Sequence, residues 1–199
     1  MGSIDKKLFA GWGVVFIAPP MILIILAALW VSVSAVFQNR SVEMLEKQIV
    51  SVVYEARRMN VSKMTTPEKA LFDFGKRLTT ASPIRLVRSK APAADRKLPY
   101  GFEDPWGNIV PITFDPPRRL LHLDLSVDHA VCRKVVSYIV DNIDKIPLAQ
   151  VQVSDAFTTM GRLVYSSDRN SPPVKISENS VYNGCGQQSQ VDLNLWFYL

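Results

Sequence analysis

The chain of 199 residues carries only two cysteines and two histidines. Two thiols are too few for a disulfide-rich miniature scaffold or a four-thiolate zinc site. There is no glycine-rich phosphate loop, no serine-nucleophile motif and no defensible pair of catalytic carboxylates. The sequence therefore gives no reason to expect an enzyme, a cofactor or a small-molecule substrate. Both histidines lie close to acids: His122, Asp124, Asp128 and His129 fall within eight residues. Strand alternation puts His122 and Asp124 on an outer face, while Asp128 and His129 open a helix. The helix dipole alone favours an acid there, so no metal site is expected.

Charge is also missing where it matters most. From Leu8 to Phe37 no residue is charged, although 21% of the whole chain is. As a helix this run rises about 45 Å, more than the roughly 30 Å hydrocarbon core of a bilayer. A buried core helix and a cleaved secretory signal are the alternatives. The apolar run exceeds the usual length of a signal's core, although Ser32-Val33-Ser34 has the small-residue pattern of a cleavage site. Lys6 and Lys7 before the run predict a cytoplasmic N-terminus and an outward-facing remainder. The Pro19-Pro20 pair is expected to kink or break the helix near its cytoplasmic end.

Glycine and proline are absent from Met21 to Met64, so one helix of about forty residues is expected across that stretch. Its outer half is amphipathic: Val42, Leu45, Ile49, Val52, Val53, Ala56 and Met59 recur at helical spacing. Such a stripe needs a cover, supplied by the rest of the chain or by another subunit. Leu45, Ile49, Val52, Val53 and Ala56 are assigned as the subunit-packing stripe. The expected organisation is a cytoplasmic 1–7, a membrane segment 8–37, an amphipathic extension 38–66 and an exported globular domain 67–199.

Within that domain Thr66-Pro67-Glu68 starts a short helix to about Leu78, and Ala81–Pro99 reads as a loop. Turn chemistry fills Gly101–Asn108. A hairpin follows: Ile109–Phe114, demoted to an edge by Pro111, pairs with Arg119–Leu125. Asp124 or Ser126 caps a helix over Val127–Ile143. Strands are expected at Val151–Val153, Arg162–Tyr165 and Val191–Leu199, the last apolar enough to be central. Gly184–Gln188 is read as a turn that carries Cys185. The fold class is α+β, with a long helix on a small antiparallel sheet. Cys132 and Cys185, both on the exported side, either pair or remain separate buried thiols.

The net charge of +5 is uneven. Residues 57–100 hold eleven basic side chains against three acidic ones, and the remainder is balanced or slightly acidic. Arg85, Arg88, Lys90, Arg96 and Lys97 are the candidate contacts for an anionic partner such as DNA, lipopolysaccharide or phospholipid head groups. A solvated loop explains the same charges. Aromatics that would stack on bases are scarce in this segment, which argues against specific nucleic-acid binding.

The arrangement resembles the type IV pilins, in particular the type IVb, PilS-like branch. The likeness rests on the half-apolar, half-amphipathic helix, on Asp104-Pro105-Trp106-Gly107-Asn108 before a hairpin strand, and on the two cysteines. Cys132 lies in the first turns of a late helix, and Cys185 lies shortly before the final strand. The resemblance implies a Cys132–Cys185 bond that clamps the C-terminal region. It also implies a pilin-like fold, a single-pass inner-membrane protein with its C-terminal domain in the periplasm, and a structural role in a pilus or a related secretion or conjugation machine. The implied partners are other pilin-like subunits, the assembly machinery and the lipid bilayer. At the N-terminus this sequence departs from the family pattern: Gly11 and Gly13 are not followed by the early Glu of a processed prepilin, and no Glu precedes Glu43. That departure fits a minor or atypical subunit.

Overall fold

The computed structural model describes residues 6–59, 74–78, 84, 86–88, 100–115, 117–155, 161–167 and 177–199. The chain forms two compact units, Met1–Ser41 and Val42–Leu199. One helix, α1 (Lys6–Arg57, 52 residues), supplies the described part of the first unit and continues into the second. Its backbone stays helical through Pro19-Pro20, so the expected break does not occur. α1 ends earlier than expected, at Arg57. The Met59 amide donates to the Ala56 carbonyl at 3.1 Å and tightens the last turn into a stop. The remainder of the expected extension, 60–66, lies outside the described residues.

In the first unit every described side chain from Met21 to Arg40 is exposed. Large apolar groups point in all directions, from Met21, Ile22 and Leu23 to Val36 and Phe37. This helix is long and apolar enough to cross a membrane.

The second unit is α+β. Seven strands form one antiparallel sheet in the order β1-β2-β3-β4-β7-β5-β6. They are β1 (Leu86–Arg88), β2 (Tyr100–Glu103), β3 (Ile109–Asp115), β4 (Leu120–Val127), β5 (Leu148–Asp155), β6 (Arg162–Ser166) and β7 (Val191–Tyr198). Among the described residues the unit also has two helices, α2 (His129–Asp141) and α3 (Glu178–Cys185), and a helical turn at 74–78. Alternation on β7 buries Val191, Leu193, Leu195 and Phe197 and turns Asp192, Asn194, Trp196 and Tyr198 to the other face. β4 does the same with Leu121, Leu123, Leu125 and Val127. One continuous core joins these residues to the α1 stripe and to Val131, Val135, Val136 and Ile139 of α2. The helices thus share one face of the sheet.

The expected hairpin is present, with Ile112 opposite Leu123 and Phe114 opposite Leu121. β7 is central, between β4 and β5. Other expectations need correction. β3 is not an edge: β2 pairs with it at residues 109–111 and β4 at 112–115. Pro111 sits at the hand-over between the two ladders, opposite Gly101, so its missing N–H does not interrupt a strand paired on both sides. A Cβ at Gly101 would fall against the Val110 carbonyl, so glycine permits this close approach.

The cap of α2 is Asp128. Its carboxylate accepts from the Ala130 and Val131 amides at 2.8 Å each, and β4 runs on through Ser126 and Val127. The expected loop at 81–99 holds β1, and β2 takes up 101–103 of the expected turn region. Cys185 is the last residue of α3 rather than part of a turn. A reciprocal Ser177–Ser180 box starts that helix, and Gly184 stays inside it because a Cβ there would collide with Val164 of β6.

Candidate functional site

Three arrangements position the residues that the sequence singles out. The first is the stripe on α1. Leu45, Ile49, Val52 and Ala56 are fully buried and Val53 nearly so, all within the core of their own unit. The subunit-packing assignment is therefore corrected: the chain's own sheet and helices cover this face. The sequence pattern reveals only that the stripe must be covered, and a sheet assembled from distant strands is invisible to it. On the opposite side of the same helix Met44 and Tyr54 remain exposed.

The second is the cysteine pair. Cys132 in the first turn of α2 and Cys185 at the end of α3 are bonded, with their Cα atoms 5.8 Å apart. Both are completely buried. Arg133 reinforces the same junction. Its guanidinium lies 3.9 Å from the Tyr182 ring centroid and donates through Nη2 to the Gly186 carbonyl at 2.6 Å. The bond clamps the segment leading into β7, as the resemblance implies.

The third is the sheet face turned away from the helices. His122 of β4 stacks on Trp196 of β7, with centroids 4.5 Å apart and planes 14° from parallel. The two residues lie directly opposite each other in the ladder. Nε2 of His122 bonds Asn194 Oδ1 at 2.8 Å, and Nδ1 bonds the Thr113 hydroxyl at 3.1 Å. With Asn194 accepting, Nε2 carries the proton and Nδ1 accepts from Thr113. Burial holds the His122 pKa below 6.5, opposed by the Asn194 bond and the nearby Asp124. Burial likewise raises Asp124, with His122 opposing and Asp192 adding to the rise. Both ring nitrogens of His122 are engaged by neutral partners, while His129 bonds the Gln188 carbonyl. No group of three or more potential metal ligands occurs among the described residues.

Compared with known proteins, the chain matches no family model, no curated protein and no solved structure. Its chemistry therefore rests on its own residues. Of the proposed anion contacts, Arg85, Lys90, Arg96 and Lys97 lie outside the described residues. Arg88 is described only as backbone, at the end of β1 opposite Tyr100.

The Asp104–Asn108 turn is fully described. Asp104 is buried, and its Oδ1 accepts from the amides of Trp106 at 2.9 Å and Asn108 at 2.7 Å. Its Oδ2 accepts from Asn108 Nδ2 at 3.0 Å. The Gly107 amide closes the turn on the Asp104 carbonyl, and Gly107 has φ of 86°, a conformation that glycine adopts without strain. This local chemistry is legible in the sequence. The result is a rigid mount for Trp106, which remains 40% exposed.

Proposed function

We propose that this chain is a type IVb pilin-like structural subunit, non-enzymatic and free of cofactors, of a pilus or a related secretion or conjugation assembly. In this reading residues 8–37 hold it in the bacterial inner membrane, and the unit from Val42 onward faces the periplasm. The supporting observation is the division of α1. One uninterrupted helix is apolar and exposed from Met21 to Phe37, and from Val42 it becomes the spine of a disulfide-clamped antiparallel-sheet unit.

An apolar surface exposed all round needs a non-aqueous cover, either lipid or the same segment of neighbouring subunits. Because the stripe from Leu45 to Ala56 serves the chain's own core, contacts with neighbours fall to the exposed 21–37 stretch and to the Met44 and Tyr54 face. Photo-crosslinking residues placed at Leu29, Trp30 and Tyr54 in living bacteria test this reading. Crosslinks to pilin-like subunits or assembly proteins, together with recovery in the membrane fraction, are expected. A chain released as a soluble monomer, or a membrane-bound one that crosslinks only to lipid, would overturn it. Mass spectrometry of the extracted protein reports whether the N-terminus is shortened after Gly11 or Gly13.

A further inference from the structure

Beside the rigid turn lies a cavity of about 260 Å3 that the assembly reading does not use. Trp106 and Asn108 from the turn, Ser126 at the end of β4, Asp128 at the cap of α2, and Ser189 and Gln190 before β7 line it. Its composition is selective. The exposed indole, with Val127 and Val131, supplies the apolar lining, and the polar groups are amides, hydroxyls and a single carboxylate. Among the described residues no lysine or arginine lines it, so none of them offsets the charge of a phosphate or carboxylate ligand.

Several of these polar groups are already fixed. Gln190 Nε2 donates to the Ser126 hydroxyl at 2.8 Å, and that hydroxyl donates to Asp192 at 3.0 Å. Asn108 directs Nδ2 to Asp104, and Asp128 Oδ1 is held by the first amides of α2. With one N–H of each amino group engaged in this way, the side chains of Asn108 and Gln190 retain a second N–H as a donor and their carbonyl oxygens as acceptors. A rigid aromatic wall beside such acceptors matches a ring that has one apolar C–H face and a rim of hydroxyl donors.

We propose that this cavity is a binding site for a neutral sugar ring, with a C–H face of the pyranose on Trp106 and its hydroxyls donating to Asn108 and Gln190. The volume is slightly below the range of ordinary small-molecule pockets, about 300–1,000 Å3, and suits one ring rather than an oligosaccharide. The site is independent of the membrane and pilin reading, because all of its residues belong to the second unit.

The test uses the full chain in detergent micelles. Isothermal titration and ligand-observed NMR are run with glucose, galactose, mannose and N-acetylglucosamine. Glucose 6-phosphate and choline serve as charged controls. Saturable binding of at least one neutral sugar is expected, with glucose 6-phosphate excluded. Trp106→Ala should weaken the binding about tenfold, and Trp106→Phe should retain part of it. Ser189→Trp, at an exposed lining position outside the turn, should block the cavity, so the prediction survives if Trp106→Ala fails to fold. Absence of saturable binding to all four sugars would overturn the proposal. So would binding unaffected by Ser189→Trp, or binding of choline alone.

Discussion

Adjacent residues on α1 distinguish a helix used by its own domain from one reserved for a partner. Leu45 is completely buried, and Met44 is 54% exposed. Leu45→Ala removes three buried carbons, a transfer loss of about 2.4 kcal/mol at roughly 0.8 kcal/mol each. The cavity left behind raises the total to about 3–5 kcal/mol. For a domain of this size each kcal/mol lowers the melting temperature by about 2–4 °C, so a fall of roughly 6–20 °C is expected. Met44→Ala should stay within about 0.5 kcal/mol of the parent. Thermal unfolding of both variants in detergent, followed by near-ultraviolet circular dichroism under non-reducing conditions, measures the difference. Equal melting temperatures for the two variants would refute the reasoning. Leu45→Ala melting like the parent while losing crosslinks to neighbouring subunits would also refute it, and would return the stripe to intermolecular packing.

Replacing both Cys132 and Cys185 with Ser should destabilise the second unit by about 4 kcal/mol, the chain-entropy value for residues 53 apart in sequence; titration of the native parent should find no free thiol. His122, whose folded pKa lies below 6.5, binds fewer protons in the folded state than in the unfolded one. Its contribution to stability is therefore full above about pH 6.5 and falls as pH drops toward the lowered value. Denaturant melts from pH 7.5 to 5 should show this slope, and His122→Gln should flatten it. Asp124, raised by burial, works with the opposite sign at lower pH, where the folded state holds the extra proton. Asp104→Ala removes the acceptor for three hydrogen bonds of the turn and should cost about 2 kcal/mol, read as a shifted urea midpoint with an unchanged slope.

Features set by neighbouring residues were the legible ones. The uncharged run, the 3.6-residue stripe, the Asp-Pro-Trp-Gly turn and the alternation of β4 each declare themselves within about twenty residues. The pairing of Cys132 with Cys185 is implied by the family resemblance, since spacing alone leaves it open. What escaped was long-range. Pro111 reads as an edge signal because sequence cannot show that two different strands share β3 at successive positions. The covering of Leu45 to Ala56 depends on strands far along the chain. Likewise, His122 and Asn194 meet although 72 residues separate them, and nothing near either foretells the stack on Trp196.

The place of β7 also bears on how the unit is made. β4 and β5 are its two neighbours, and both precede it in the chain. Until β7 arrives, each offers an open row of backbone donors and acceptors to any other extended chain. Non-local pairing of this kind is slow, and Cys185 too is synthesised only shortly before β7. Thus the half-made sheet passes through an interval in which it is neither zipped nor clamped, and self-association competes with closure. Conditions that lengthen that interval should lower the yield of folded protein even when the finished unit is stable.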